Sequence, residues 1–174
     1  NVSGIDLERY IVPRKSKKTF SGQKSIEFNC VSNLKSKRLK PIRLASISSL
    51  TGLINWEEDR YKGRLHIQTS EGLDGCDLIN ELNLDDYLST LLPKEMNSTW
   101  PIEALKAQAV AARSYALFKI QTKQVGKSKG FETYYDLENS EKHQVNGDFF
   151  DVTKKTKKAA YDTKGEILVN PKDR

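Results

Sequence analysis

The stretch "WPIEALKAQAVAARSYALFKIQTKQ", Trp100 to Gln124, constrains this chain more than any other. Ile102, Leu105, Ala109, Ala112, Ala116 and Ile120 recur at helical spacing and form one apolar stripe. Pro101 suits the first helical position and Glu103 the first turn, where the helix dipole favours an acid. Ala104, Ala107 and Ala111 raise helix propensity and keep the helix thin. Small side chains let another backbone or a ligand come close. "VGKSKG" then ends the helix. A fold that includes this segment is built on a long helix with one face buried.

Around that helix the periodicity changes. "LNLDDYLSTLL" (Leu82 to Leu92) has Leu84, Tyr87, Leu88, Leu91 and Leu92 at helical spacing, with Asp85 and Asp86 favouring its first turn. Pro93 is expected to stop this helix near Leu92 and to leave Glu95 in a turn between two helices. Residues 1–60 read as short strands and turns. "SIEFNCV" (Ser25 to Val31) and "YKGRLHIQTS" (Tyr61 to Ser70) alternate apolar and polar, and "GLDGCDLINELN" reads as a turn followed by a strand. "TKKTKKAAYDTKG" reads as a short exposed helix and "EILV" (Glu166 to Val169) as a strand. The fold class is therefore α+β: short, mostly antiparallel strands packed around a long alanine-rich central helix.

Charge is unevenly distributed. Arg9 to Arg43 holds eleven Lys or Arg against one acid, Glu27, a net of +10; the whole chain carries +6, so the remainder carries −4. A basic first quarter fits an acidic partner, whether nucleic acid, anionic lipid or an acidic cell-wall polymer, and equally fits a solvated face. No nucleic-acid-binding motif accompanies it, and aromatics within it are sparse, so no nucleic-acid partner is expected. No run of about 18 apolar residues is present, which excludes a membrane-spanning helix.

The chain lacks GxGxxG, Walker, HExxH and GxSxG motifs. Its histidines are His66, which reads as a surface strand residue, and His143; nothing sets a serine beside either. Cys30 and Cys76 show no CxxC spacing, and either a disulfide or two buried thiols satisfies the pattern. That leaves carboxylates, and Glu95 in "LLPKEM" stands out. By local chemistry alone it reads first as a helix-flanking acid. Its second reading is a catalytic acid surrounded by Leu91, Leu92, Met96 and Trp100, whose apolar surface would keep it protonated.

Three blocks shift that balance: "YKGRL" at Tyr61, "NELNLDDYLSTLLPKEM" from Asn80 to Met96, and "WPIEALKAQAVAARSYAL" from Trp100 to Leu117. They resemble the SpoIID/LytB family of sporulation and cell-wall proteins, whose pattern runs roughly YxGxL, NxLxLExYLxGVxPxEM and WPxEALKAQAVAARTYA. The resemblance covers Tyr61 to Leu117 and, more loosely, extends to Val169. It implies a single SpoIID-like domain over 1–174, with 1–60 a basic strand- and loop-rich part and 61–170 the family core. It also implies a location in the cell envelope, outside the cytoplasm. The implied partners are peptidoglycan glycan strands, with other cell-wall hydrolases as a further class.

The sporulation branch consists of lytic transglycosylases, so the resemblance implies cleavage of the MurNAc–GlcNAc bond, preferably in peptide-free glycan, with anhydro-MurNAc as product. It makes Glu95 the catalytic acid/base. Hydrolases of glycans commonly use two carboxylates. Here one suffices: the acid protonates the glycosidic oxygen, then takes a proton from the muramic acid's own 6-hydroxyl as the anhydro ring closes. Arg113 of "VAAR" is implied to support the site, contacting substrate or a structural acid rather than Glu95. Lys106, Gln108 and Tyr115 on the same helix are the other substrate-binding candidates. Some relatives carry a zinc site in a YDxC…HCQVY-like stretch. Here "YYDLENSEKHQVNG" has Glu138 and His143 in place of the cysteines and Lys142 in place of the histidine, so no metal and no cofactor is expected. The alternative within the family is a non-catalytic, peptidoglycan-binding amidase enhancer.

Overall fold

The structure is a computed structural model, and it describes residues 41–56, 58–70, 75–122, 134–139, 144 and 147–170. The strand expected at Ser25 to Val31 and most of the basic first quarter lie outside the described residues. Contacts divide the chain into two compact units. One contains residues up to Glu57 together with Gly63–Glu81; the other contains Glu58–Lys62 and everything from Leu82 onward.

The first unit is a three-stranded sheet in the order β1-β2-β3: β1 is Arg43–Trp56, β2 Asp59–Thr69 and β3 Cys76–Glu81. β2 and β3 pair antiparallel, with Leu65 opposite Asn80, Ile67 opposite Leu78 and Thr69 opposite Cys76. Thr69 also donates its N–H to Ile42 O, just before β1. β1 is a single 14-residue strand where shorter pieces were expected. It absorbs its glycine without breaking, because Gly52 takes a left-handed φ of 75° that a side chain would resist. From Leu65 to Thr69 every residue of β2 is buried, so this segment is covered on both faces and the expected alternation disappears. His66 is therefore not a surface residue. It is 3% exposed, and its ring bonds Ser46 and Glu81. Cys76 is disulfide-bonded, and the chain's other cysteine, Cys30, lies outside the described residues.

The second unit is helical at its core. α1 is Leu84–Glu95, α2 Ile102–Thr122 and α3 Lys154–Asp162, with a single 3₁₀ turn at Phe149–Asp151. Asn83 caps α1 by accepting from the Asp86 N–H. α1 does not stop at Leu92. Pro93 sits inside it, and the Met96 N–H reaches Leu92 O at 3.0 Å, closing one more turn. Proline removes only its own donor, and near a helix end that loss is small enough for the helix to continue. Leu88, Leu91, Leu92, Leu105, Ala109, Ala112, Ala116, Ala159 and Ala160 form the core shared by the three helices. Burying those aliphatic side chains supplies the main stabilisation, at about 25 cal/mol per Å² of apolar surface removed from water. Ile120, expected on the same stripe, is 37% exposed at the far end of α2.

Two expectations for the last segment are corrected. α3 is not simply exposed, since Thr156, Ala159 and Ala160 are fully buried against the other helices. Thr153 and Thr156 cap one another at its start. Glu166 to Val169 is not a strand. Gly165, at φ 83°, turns the chain out of α3, and the backbone that follows bonds to side chains of α2: Arg113 donates to Glu166 O and the Leu168 N–H donates to Ser114 Oγ. The apolar Ile167–Val169 run stays exposed.

Candidate functional site

Glu95 ends α1 and is exposed. The apolar enclosure expected around it does not form: Leu92 points into the core, Met96 is half-buried against that core, and Trp100 is 52% exposed. The contacts formed here are made by the neighbours of Glu95 in α1 and by the turn that follows. Gly147 lies so close to the last turns of α1 that an added Cβ would stand 1.9 Å from Thr90 O. Lys94 Nζ pairs with Asp151 at 2.8 Å. Asp148 accepts from the backbone of Arg60 and Phe150, and the Arg60 guanidinium lies 3.6 Å over the Phe150 ring. After Glu95, Asn97 accepts from both the N–H and the hydroxyl of Thr99, and the Trp100 N–H donates to Asn97 O. This turn fixes the link to α2.

Tyr87, Leu91 and Glu95 follow one another at four-residue spacing on one side of α1. The phenol of Tyr87 is held protonated far above its ordinary range by burial, then by the neighbouring Glu95 carboxylate, then by Tyr115. Its hydroxyl donates to Gln144 Oε1 at 2.8 Å, and Gln144 Nε2 donates to Ala112 O. Glu95, Tyr87, Tyr115 and Gln144 thus form one neighbourhood of polar groups beside the α1–α2 core.

The α2 candidates do not converge. Gln108 and Tyr115 are two turns apart and share one flank of the buried stripe, on the side of Tyr87 and Gln144. Lys106 and Arg113, also two turns apart, lie about 200° around the helix from them. Lys106 pairs with Glu103 at 3.0 Å and approaches Asp162 of α3 at 3.6 Å. Of the two contacts expected for Arg113, the structure forms the one to a structural acid. Its guanidinium is 2% exposed, donates to Asp85 at 3.2 Å and to Ala160 O at 2.8 Å, and bonds Thr163 and Glu166 O. That enclosure leaves no surface for substrate. Asp86, beside it, accepts from Lys62 at 2.7 Å, from the Tyr161 hydroxyl and from Asn83. Burial opposes the charge on Asp86, but these hydrogen bonds outweigh burial and hold its carboxyl below the ordinary value.

Sequence reasoning singled out Glu95 and did not find Tyr87 or Gln144. The spacing to Glu95 carried a signal for Tyr87. Gln144 reaches Tyr87 across 57 residues, and no local pattern announces such a contact. Among the described residues no cluster of three or more His, Cys, Asp or Glu is placed to hold a metal. Lys142 and His143 lie outside the described residues. No described helix is long and apolar enough to cross a membrane.

With α1, the Glu95 turn and α2 in place, the comparison with known proteins is decisive. Residues 73–170 match the stage II sporulation protein (SpoIID) family. The chain belongs to that family. It is 48% identical over 68 residues to an uncharacterised protein of Brachyspira hyodysenteriae, covering 39% of this chain and 17% of that protein. It is 35% identical over 81 residues to the amidase enhancer of Bacillus subtilis, covering 47% of this chain and 10% of that protein. The chain thus matches less than a fifth of the length of either relative. No solved structure matches it. The SpoIID match begins inside the first unit, just before β3, and runs through the whole helical core.

Proposed function

We propose that this SpoIID-family chain is a peptidoglycan lytic transglycosylase with Glu95 as its acid/base. The observation that carries the reading is a solvent-accessible carboxylate at the end of α1, close enough to the Tyr87 phenol to raise its pKa, on a helix whose last turns pack against Gly147. Family membership and the similarity to an amidase enhancer support a cell-wall-related function. The disulfide at Cys76 supports an oxidising compartment outside the cytoplasm.

In this reading the glycan itself covers Glu95, replacing the apolar wall that the free chain lacks. Glu95 protonates the glycosidic oxygen, then accepts the proton of the muramic 6-hydroxyl as the anhydro ring closes. Gln108, Tyr115 and Trp100 are the accessible groups that would contact sugar, and Arg113 positions α1 and α2 from inside the core. Digestion of peptide-free glycan followed by mass spectrometry tests it: anhydro-muramyl ends support a transglycosylase and reducing ends a hydrolase. The exposure of Glu95 keeps a second reading open, an amidase enhancer that binds glycan without cutting it. That reading predicts no new ends of either kind, with faster release of peptide when an amidase is added.

A further inference from the structure

We propose that Ser46, His66 and Glu81 form a second reactive site, in which Ser46 is a nucleophile toward acyl esters. The three residues come from the three strands of the sheet. Ser46 Oγ lies 2.8 Å from His66 Nδ1, and His66 Nε2 lies 2.6 Å from Glu81 Oε2. The imidazole is buried while Ser46 and Glu81 are exposed, so the base is shielded and the nucleophile open to solvent.

The carboxylate decides the tautomer. Glu81 is held below its ordinary pKa, first by the hydrogen bond to His66 and then by the charges of Arg64, His66 and Arg43, so it is a carboxylate and acts as an acceptor. A carboxylate cannot donate, so Nε2 is a protonated ring nitrogen; in the neutral imidazole Nδ1 then carries the lone pair that accepts from the Ser46 hydroxyl 2.8 Å away. Nucleophile, base and orienting acid stand in the relation used by acyl-transfer enzymes, with the two ring nitrogens exchanged.

In the reaction, Ser46 Oγ attacks the acyl carbon and its proton passes to Nδ1. The ester C–O bond breaks and the alcohol leaves with that proton. Water then attacks the acyl-serine, giving a proton to Nδ1 that returns to Ser46 Oγ as the carboxylic acid departs. Ser46 is exposed, so an ester presented from solvent can reach its Oγ.

A fluorophosphonate probe with peptide mapping tests this on the intact protein. Ser49 lies on the same strand and, among the described residues, bonds Thr51 and no histidine, so it serves as the internal reference. Ser46 should label on the order of 10²-fold faster than Ser49, the lower end of what a positioned base supplies. His66→Gln should remove that excess, and Glu81→Gln should lower it and displace its pH dependence. With p-nitrophenyl acetate, the acetyl group should appear on Ser46. Equal labelling of Ser46 and Ser49 in the unmodified protein would overturn the proposal without recourse to any variant, leaving His66 as a buried side chain satisfied by two structural partners.

Discussion

A methyl group at Gly147 would stand 1.9 Å from Thr90 O and 2.9 Å from the carbon behind it, both backbone atoms that cannot swing aside. Gly147→Ala must therefore displace the 147–151 segment from α1. We expect a loss of about 1–3 kcal/mol, as for overpacking elsewhere. Thermal melting should show it as a drop of several degrees, and an unchanged melting temperature would mean that the segment moves away from α1 without cost. Asp86 makes a prediction about pH. Its folded-state pKa is depressed, so its contribution is fully present above the unfolded value of about 3.9 and is lost as pH falls through the folded value. Acid unfolding of Asp86→Asn should be less steep below about pH 4 than that of the unmodified chain. Equal steepness in both would show that Lys62, Tyr161 and Asn83 do not hold the charge. Neither residue could be read this way in the sequence. Asp86 reads in the sequence as a dipole-favoured first-turn acid, and nothing there singles out Gly147, because the partners of both are distant in the chain.

The helices show where local pattern is sufficient and where it stops. α2 was legible because propensity, the apolar stripe and the entry proline all agree on one period. The end of α1 was not, because Pro93 forbids only one hydrogen bond and the next turn closes without it. The segment after α3 has the composition of a strand, yet Arg113 and Ser114 take its backbone groups and no ladder forms. Arg113 joins α1, α2 and α3 through one buried guanidinium. Arg113→Ala strands Asp85, and breaking a buried pair of this kind costs about 3–5 kcal/mol. Urea denaturation should report that loss. A fully stable Arg113→Ala protein that no longer binds glycan would give the residue the substrate contact instead.

At the scale of the whole molecule, the α+β class and the family were visible in the sequence, while the division into a sheet unit and a helical unit was not. Alternation and helical spacing describe single elements, and β2 contributes residues to both units with Gly63, at φ 90°, at the changeover. The basic first quarter belongs to this scale too. If its +10 balance engages an acidic wall polymer, binding should weaken as ionic strength rises, since exposed charges are screened beyond about 8–10 Å near physiological salt. Retention that ignores salt would return this stretch to a solvated face. The central claim is chemical, and one comparison reaches it most directly: peptide-free glycan digested in parallel by the unmodified chain and by Glu95→Gln, with the ends identified by mass spectrometry. Glu95→Gln keeps the shape of the side chain and removes its proton, and loss of one acid/base catalyst should lower the rate by about 10²–10⁴-fold. We predict anhydro-muramyl ends from the unmodified chain and almost none from Glu95→Gln. Anhydro ends released by both at the same rate, or by neither, would contradict the assignment of Glu95.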